Sequence, residues 1–199
     1  MPTGIALRDV REQLFDAAER ILLRGGPNAL TSRAVTTEAG CAKGVLHRHF
    51  ADFDAFLAEL VTDRIRRVEA QSAALRASAG TGTVAGNLTL ALLELFGSVA
   101  VAVVSLVISR DGLRARLRQA GSAGLPLLGE ATTMIAAYLA AEREMGRIAV
   151  DADVDALALT LIGSAHLLFA GREDDPPDAA VVEWIVTTAI ADAVQRRLL

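Results

Sequence analysis

Apolar residues recur at helical spacing along nearly the whole chain, and the interruptions of that rhythm carry glycine, proline or aspartate. Leu7, Val10, Leu14, Ala17, Ala18 and Ile21 line one face of a first helix predicted over residues 7–23, which Gly25-Gly26-Pro27-Asn28 then stops. Thr31 is the expected N-cap of a second helix, with Ala34, Val35 and Ala39 facing inward. Gly40 supplies a turn in which a positive φ costs little. A short third helix follows over residues 43–49, with Val45, Leu46 and Phe50 as packing candidates. After the break at Ala51-Asp52, Asp52 caps a long fourth helix over 53–75.

Beyond Gly80-Thr81-Gly82-Thr83 the pattern predicts a long apolar helix over 84–109 and a short one over 112–119. Gly121-Ser122-Ala123-Gly124 makes the next turn, and Pro126 suits the first turn of a helix that Gly146 ends. Asp151 or Asp153 caps a helix reaching residue 169. Residues 171–178, with Glu173-Asp174-Asp175 and Pro176-Pro177, read as a loop. A last helix over 179–197 ends on Arg196-Arg197, where cations suit the C-terminal dipole. With about nine helices and no strand pattern, the expectation is an all-α protein: a three-helix head over 7–53 and a larger helical domain over 54–199.

Composition agrees with that outline. Of 199 residues 52% are apolar and only 4% aromatic, so the core must come from Ala, Leu, Val and Ile, which favours packed helices. One cysteine leaves no internal disulfide framework, and no leader of basic, apolar and small-residue regions opens the chain, so a cytoplasmic location is expected. Residues 88–108 are apolar enough in length to span a bilayer. Glu94 within the run, Arg110 just after it and the lack of an aromatic belt favour a buried core helix instead, and no membrane partner is expected.

Charge is unevenly spread. The net value is −4, yet residues 1–50 carry seven Lys and Arg against five Asp and Glu, while residues 51–199 carry thirteen against nineteen. A mildly basic head on an acidic body suits contact with DNA through the head alone. The third helix holds the chain's single lysine, Lys43, with Arg48, His47 and His49. A short cationic helix behind a glycine turn is what a major-groove reader looks like.

Leu30-Thr31, Ala39-Gly40, Lys43-Gly44-Val45-Leu46, Arg48-His49-Phe50 and Asp54-Ala55-Phe56-Leu57 together resemble the helix-turn-helix of the tetracycline-repressor (TetR) family of bacterial regulators. The resemblance implies a dimeric DNA-binding repressor that a small molecule, held in the C-terminal domain, releases from a palindromic operator. By the same resemblance, Thr31, Ser32 and Arg33 would set the second helix against phosphates. Lys43, Gly44 and Val45 would face base edges, Lys43 donating to guanine O6 and N7 and Val45 touching a thymine methyl. His47, Arg48 and His49 would lie over phosphates. Three positions depart from the family pattern: His47 replaces a phosphate-bonding tyrosine, Ala42 a capping serine, and Phe53 a phosphate-contacting lysine. A lost cap costs about 1 kcal/mol of helix stability, and a lost phosphate contact flattens the salt slope by about 0.9. Protonation of His47 and His49 beside phosphates is expected to raise operator affinity as pH falls from about 7.5 to 6; a pH-independent dissociation constant at fixed salt would refute this.

Elsewhere the candidates are sparser. His47 and His49 do not share a helix face, so they do not form a metal pair, and no metal or other cofactor is expected. Cys41 suits packing between the two helices. Asp151, Asp153 and Asp155 lack the glycine and glutamate of a calcium loop. Polar or polarisable residues in apolar helices, namely Glu94, Met134, Tyr138 and His166, are the candidates for a ligand pocket, which would take a mostly apolar inducer. Val182, Ile185, Val186, Ala189 and Ala193 form a wide apolar stripe that is the candidate homodimer face. No nucleophile–base pair, metal cluster or phosphate-cradling loop points to an enzyme. The competing readings are a membrane-associated helical protein using residues 88–108 and a helical enzyme without a recognisable site.

Overall fold

The computed structural model describes residues 5–97, 99–122, 124–171 and 177–194. They form ten helices: α1 (Ile5–Ala29), α2 (Ser32–Glu38), α3 (Val45–His49), α4 (Phe53–Ala77), α5 (Val84–Phe96), α6 (Ala100–Ser109), α7 (Asp111–Gln119), α8 (Leu128–Glu144), α9 (Val154–Ala170) and α10 (Ala179–Ile190). Among the described residues there is no strand, only an isolated bridge between Ile148 and Val194. The chain falls into two compact units, Met1–Arg64 with Ala102–Pro126, and Ile65–Val101 with Leu127–Leu199. The head expected over 7–53 therefore shares its unit with the start of α4, most of α6, and α7.

In the first unit α1 packs on α2, and α2 on α3. The predicted face of α1 is the buried one, since Leu14, Ala17 and Ala18 are fully enclosed and Ile21 nearly so. Each large apolar side chain enclosed in this way contributes about 1.5–3 kcal/mol. Gly26, at φ 65°, breaks α1 where the glycine pair predicts, and Pro27 opens one last turn. Arg64 on α4 is buried and ion-pairs with Glu19 on α1 and with Asp63, which a guanidinium out of water requires.

In the second unit α5 packs on α9 and α10, α8 on α9, and α10 on α9. Asp153, rather than Asp151, caps α9, accepting from the Ala156 N–H at 3.0 Å. Glu142, fully buried, gathers a polar network that holds the turn between α4 and α5 against α8. Tyr138 Oη donates to Glu142 Oε1 at 2.6 Å, and the Gly80 N–H donates to the same oxygen at 3.3 Å. Asn87 donates to Tyr138 Oη at 3.0 Å. Arg147 lies 3.3 Å from Glu142 Oε2 and donates to the Gly82 carbonyl at 2.8 Å. Burial, and then the neighbouring Glu142, push the Tyr138 hydroxyl well above its ordinary range.

Several expected boundaries are corrected. The helix expected over 84–109 is two, α5 and α6, because Gly97 caps α5 by donating to the Leu93 carbonyl. Both pieces bury an apolar face, Leu88, Leu92 and Leu95 in α5 and Val103, Leu106 and Val107 in α6, so the apolar run continues across the break. Among the described residues no single helix is long and apolar enough to cross a membrane. The eighth helix starts at Leu128 rather than at Pro126: Leu127 has φ 72°, and Glu130 accepts its N–H at 2.7 Å. The last helix ends at Ile190, and the cationic end expected at Arg196-Arg197 lies outside the described residues, as does most of the 171–178 loop.

Candidate nucleic-acid interface

The turn between α2 and α3 is built from backbone hydrogen bonds. Thr31 caps α2, its hydroxyl accepting from the Ala34 N–H at 3.1 Å. At the other end Gly40, at φ 65°, donates to the Thr37 carbonyl at 3.1 Å, and Cys41 donates to the Thr36 carbonyl at 2.9 Å. This pair of bonds around a left-handed glycine ends the helix and redirects the chain. Lys43 and Gly44 lie in the turn that follows, so the third helix begins at Val45, two residues later than expected. It has no side-chain cap; the Val45 N–H donates instead to the Ala42 carbonyl at 2.9 Å.

Two faces of α3 are sharply distinguished. Leu46 is fully buried and Phe50 is 4% exposed. The Phe50 ring meets Phe56 edge-on at 5.0 Å and Phe15 at 6.0 Å, and Phe15 meets Phe56 at 5.7 Å, an aromatic base under the helix. On the opposite side Lys43, Gly44, His47 and Arg48 are exposed, with Val45 half-buried at the margin. His49 is half-buried, its ring 6.4 Å from that of Phe50. Thr31 and Arg33 are exposed at the start of α2, with Ser32 half-buried between them. The expected contact residues thus fall on α2, α3 and the turn that joins them.

Two arginine devices fix this arrangement, and no local pattern of residues announces either. Glu38, at the end of α2, accepts from Arg20 Nε at 2.8 Å and from Arg24 Nη2 at 2.6 Å, tying α2 to α1. Hydrogen bonds from Arg24 and then Arg20 lower its carboxyl from the usual 4.5 to about 2. Arg11 of α1 lies 4.5 Å over the Phe50 ring, donates to the His49 carbonyl at 3.4 Å, and ion-pairs with Glu59 of α4.

The other candidates are dispersed. Glu94 is exposed, which removes the reason for placing it in a pocket. Met134 and Tyr138 are buried one turn apart on α8, and the Tyr138 hydroxyl is committed to Glu142 and Asn87. The His166 ring on α9 lies 6.0 Å from that of Phe96 of α5, tilted by 47°, and its Nδ1 is buried without a hydrogen-bond partner. Burial lowers its pKa. Two surface hollows, one of about 590 Å³ between α1 and α2 and one of about 310 Å³ between α8 and α9, include none of these four residues. The stripe expected to form a dimer face packs for the most part inside the subunit. Val182, Val186 and Ala193 are buried within the subunit and Ile185 and Ala189 half-buried, because this side of α10 packs on α5 and α9.

A cationic helix presented on a buried aromatic base, behind a glycine-made turn, defines a helix-turn-helix DNA-binding regulator. Residues 14–60 match the sequence model of "Bacterial regulatory proteins, tetR family". Solved structures agree over nearly the whole chain. A TetR-family transcriptional regulator from Agrobacterium tumefaciens aligns with a TM-score of 0.71 at 16% identity, covering 94% of this chain and 99% of that one. The transcriptional regulator FadR from Bacillus subtilis, in complex with stearoyl-CoA, aligns at 0.68 and 18% identity, covering 90% and 97%. The fatty acid degradation regulator FadR from Bacillus halodurans aligns at 0.66 and 16%, covering 90% and 94%. At such identities the likeness is one of fold. A search of curated proteins found no match. Residues 14–60 thus carry a head similar to that of the TetR family, and the chain as a whole shares the fold of solved TetR-family regulators.

Proposed function

We propose that the protein is a homodimeric repressor that binds a palindromic operator through α2 and α3 and is released by a mostly apolar small molecule. The observation that carries the DNA-binding part is the division of α3: Leu46 and Phe50 anchor it, while Lys43, His47 and Arg48 stand in solvent. Lys43 and Val45 are the proposed base readers, with Thr31, Ser32, Arg33, His47, Arg48 and His49 on the backbone. For the inducer, His166 is the strongest of the candidates, since its buried Nδ1 lacks a partner beside Phe96. Met134 and the ring of Tyr138, whose hydroxyl is committed to Glu142 and Asn87, are the other proposed lining residues. The FadR structure holding stearoyl-CoA supports an acyl chain as the class of ligand.

Dimerisation is proposed through the outer faces of α9 and α10 rather than the stripe inferred from the sequence. Leu159 (65% exposed), Leu167 (76%) and Trp184 (67%) lie on those faces, and Gly163, between the two leucines, has open space around it. Large apolar side chains left in water in this way support a protein partner. Selection of duplex DNA from random sequence tests the reading: enrichment of an inverted repeat is expected, and failure to enrich any site would refute it. Lys43→Ala should then weaken the selected site by about 1–3 kcal/mol while leaving the thermal midpoint unchanged, because Lys43 is exposed.

A further inference from the structure

We propose that Arg110 and the arginines of α7 form a second phosphate-contacting surface beside the recognition helix. The inference rests on the DNA-binding reading above. The chain leaves α3 at His49 and enters α4 through Asp52, Phe53 and Asp54, so the first charges after the helix are two carboxylates. Asp52 lies three residues past His49, within about 11 Å of chain, close to one Debye length of about 8–10 Å. Unopposed, these acids would repel the same DNA backbone that Arg48 attracts.

They are opposed by residues some sixty positions away in sequence. Arg116 Nη2 lies 2.8 Å from Asp52 Oδ2, and Arg110 lies 3.7 Å from Asp54 and 5.4 Å over the Phe53 ring. The approach is close: a Cβ on Gly112 would stand 3.1 Å from Asp54 Oδ2. Leu113 and Leu117 are buried and fix the inner face of α7. Arg114 pairs with Asp111 of its own helix, and Arg118 is exposed with no acidic partner among the described residues. Three arginines thus meet three aspartates, and Arg118, beyond those pairs, leaves the segment with a net positive charge. Arg110 and Arg116 keep 35% and 40% of their side chains in solvent, so both remain open to an anion.

The partner that fits is the sugar-phosphate backbone flanking the bases read by α3. Contacts to phosphate carry no sequence information, so this surface is expected to raise affinity and salt dependence without changing sequence preference. A pair that merely fastened α7 to α4 would share the ion pairs and differ in what happens when each side is neutralised.

The experiment compares Arg116→Gln, Asp52→Asn and Arg118→Gln in the full chain, titrated against the selected duplex between 50 and 200 mM salt. Asparagine keeps the N-cap that Asp52 makes to the Ala55 N–H at 2.6 Å. Arg116→Gln is expected to weaken binding and Asp52→Asn to strengthen it. Arg118→Gln, which breaks no ion pair among the described residues, should flatten the salt slope by about 0.9 per subunit, equivalent to about 3.5-fold in affinity over that range. Weakening by both Arg116→Gln and Asp52→Asn, or an unchanged slope in Arg118→Gln, would overturn the proposal. Salt-dependent binding by the wild type that these variants leave untouched would refute this surface alone. A wild type that binds no duplex would refute the DNA-binding reading itself.

Discussion

At the scale of single residues, the head is held by carboxylates and guanidinia in positions where charge alone would be unfavourable. Glu38 ends α2, where a negative charge opposes the helix dipole. Arg24 and Arg20 reverse that penalty and lower its pKa from 4.5 to about 2. Because the folded value is below the unfolded one, the clamp contributes in full above about pH 4.5, and the contribution is lost as pH falls towards 2. The side chains are exposed, so solvent screening keeps the effect small. Glu38→Gln should therefore melt below the wild type at neutral pH, and the gap should close between pH 4.5 and 2 at constant salt. A gap that persists unchanged to pH 2 would show that the carboxylate's charge is not what ties α2 to α1.

At the scale of elements, α3 is five residues long, too short to persist without support. Leu46 and Phe50 supply packing, and Arg11 supplies the C-terminal end by bonding the His49 carbonyl while covering Phe50 and pairing with Glu59. Arg11→Ala should lower head stability by about 1–2 kcal/mol, the sum of an exposed ion pair and a cation–π contact. It should also weaken operator binding more than Glu59→Gln does, since the latter leaves the ring and carbonyl contacts in place. Thermal melts and DNA titrations of the two variants check both points, and an Arg11→Ala protein equal to wild type in each would refute the role. The sequence made this helix legible through Gly40 and the apolar positions at Leu46 and Phe50, both local signals. Arg11 left no local signal, because its partners lie 38 and 48 residues away. The break at Gly97 was hidden for another reason: exposed positions on either side of it, such as Leu90 and Ile108, are themselves apolar, so no continuous polar face marks the change of phase.

At the scale of the whole molecule, the readable and unreadable parts divide in the same way. The apolar stripe through Val182 and Val186 was visible, but a stripe says only that a face is buried, and here its own subunit buries it. Leu159, Leu167 and Trp184 break the expected polarity of an outer face, which becomes evident only once the inner faces are assigned. Glu142, between Ala141 and Arg143, gave no sign that it would be fully buried, because the turn that closes over it through the Gly80 N–H lies 62 residues away. The two faces of α10 make opposite predictions. Val186→Ala removes two buried methyl groups' worth of packing and should cost about 2–3 kcal/mol of stability while leaving the subunit assembly intact. Leu167→Glu combined with Trp184→Arg should instead leave each subunit folded and convert dimer to monomer, read by sedimentation at micromolar concentration. With the two heads no longer linked, affinity for the full palindrome should fall by about 10²-fold or more, towards that for a half-site. A wild type that sediments as a monomer, or a double variant that remains dimeric, would remove α9 and α10 as the joining surface.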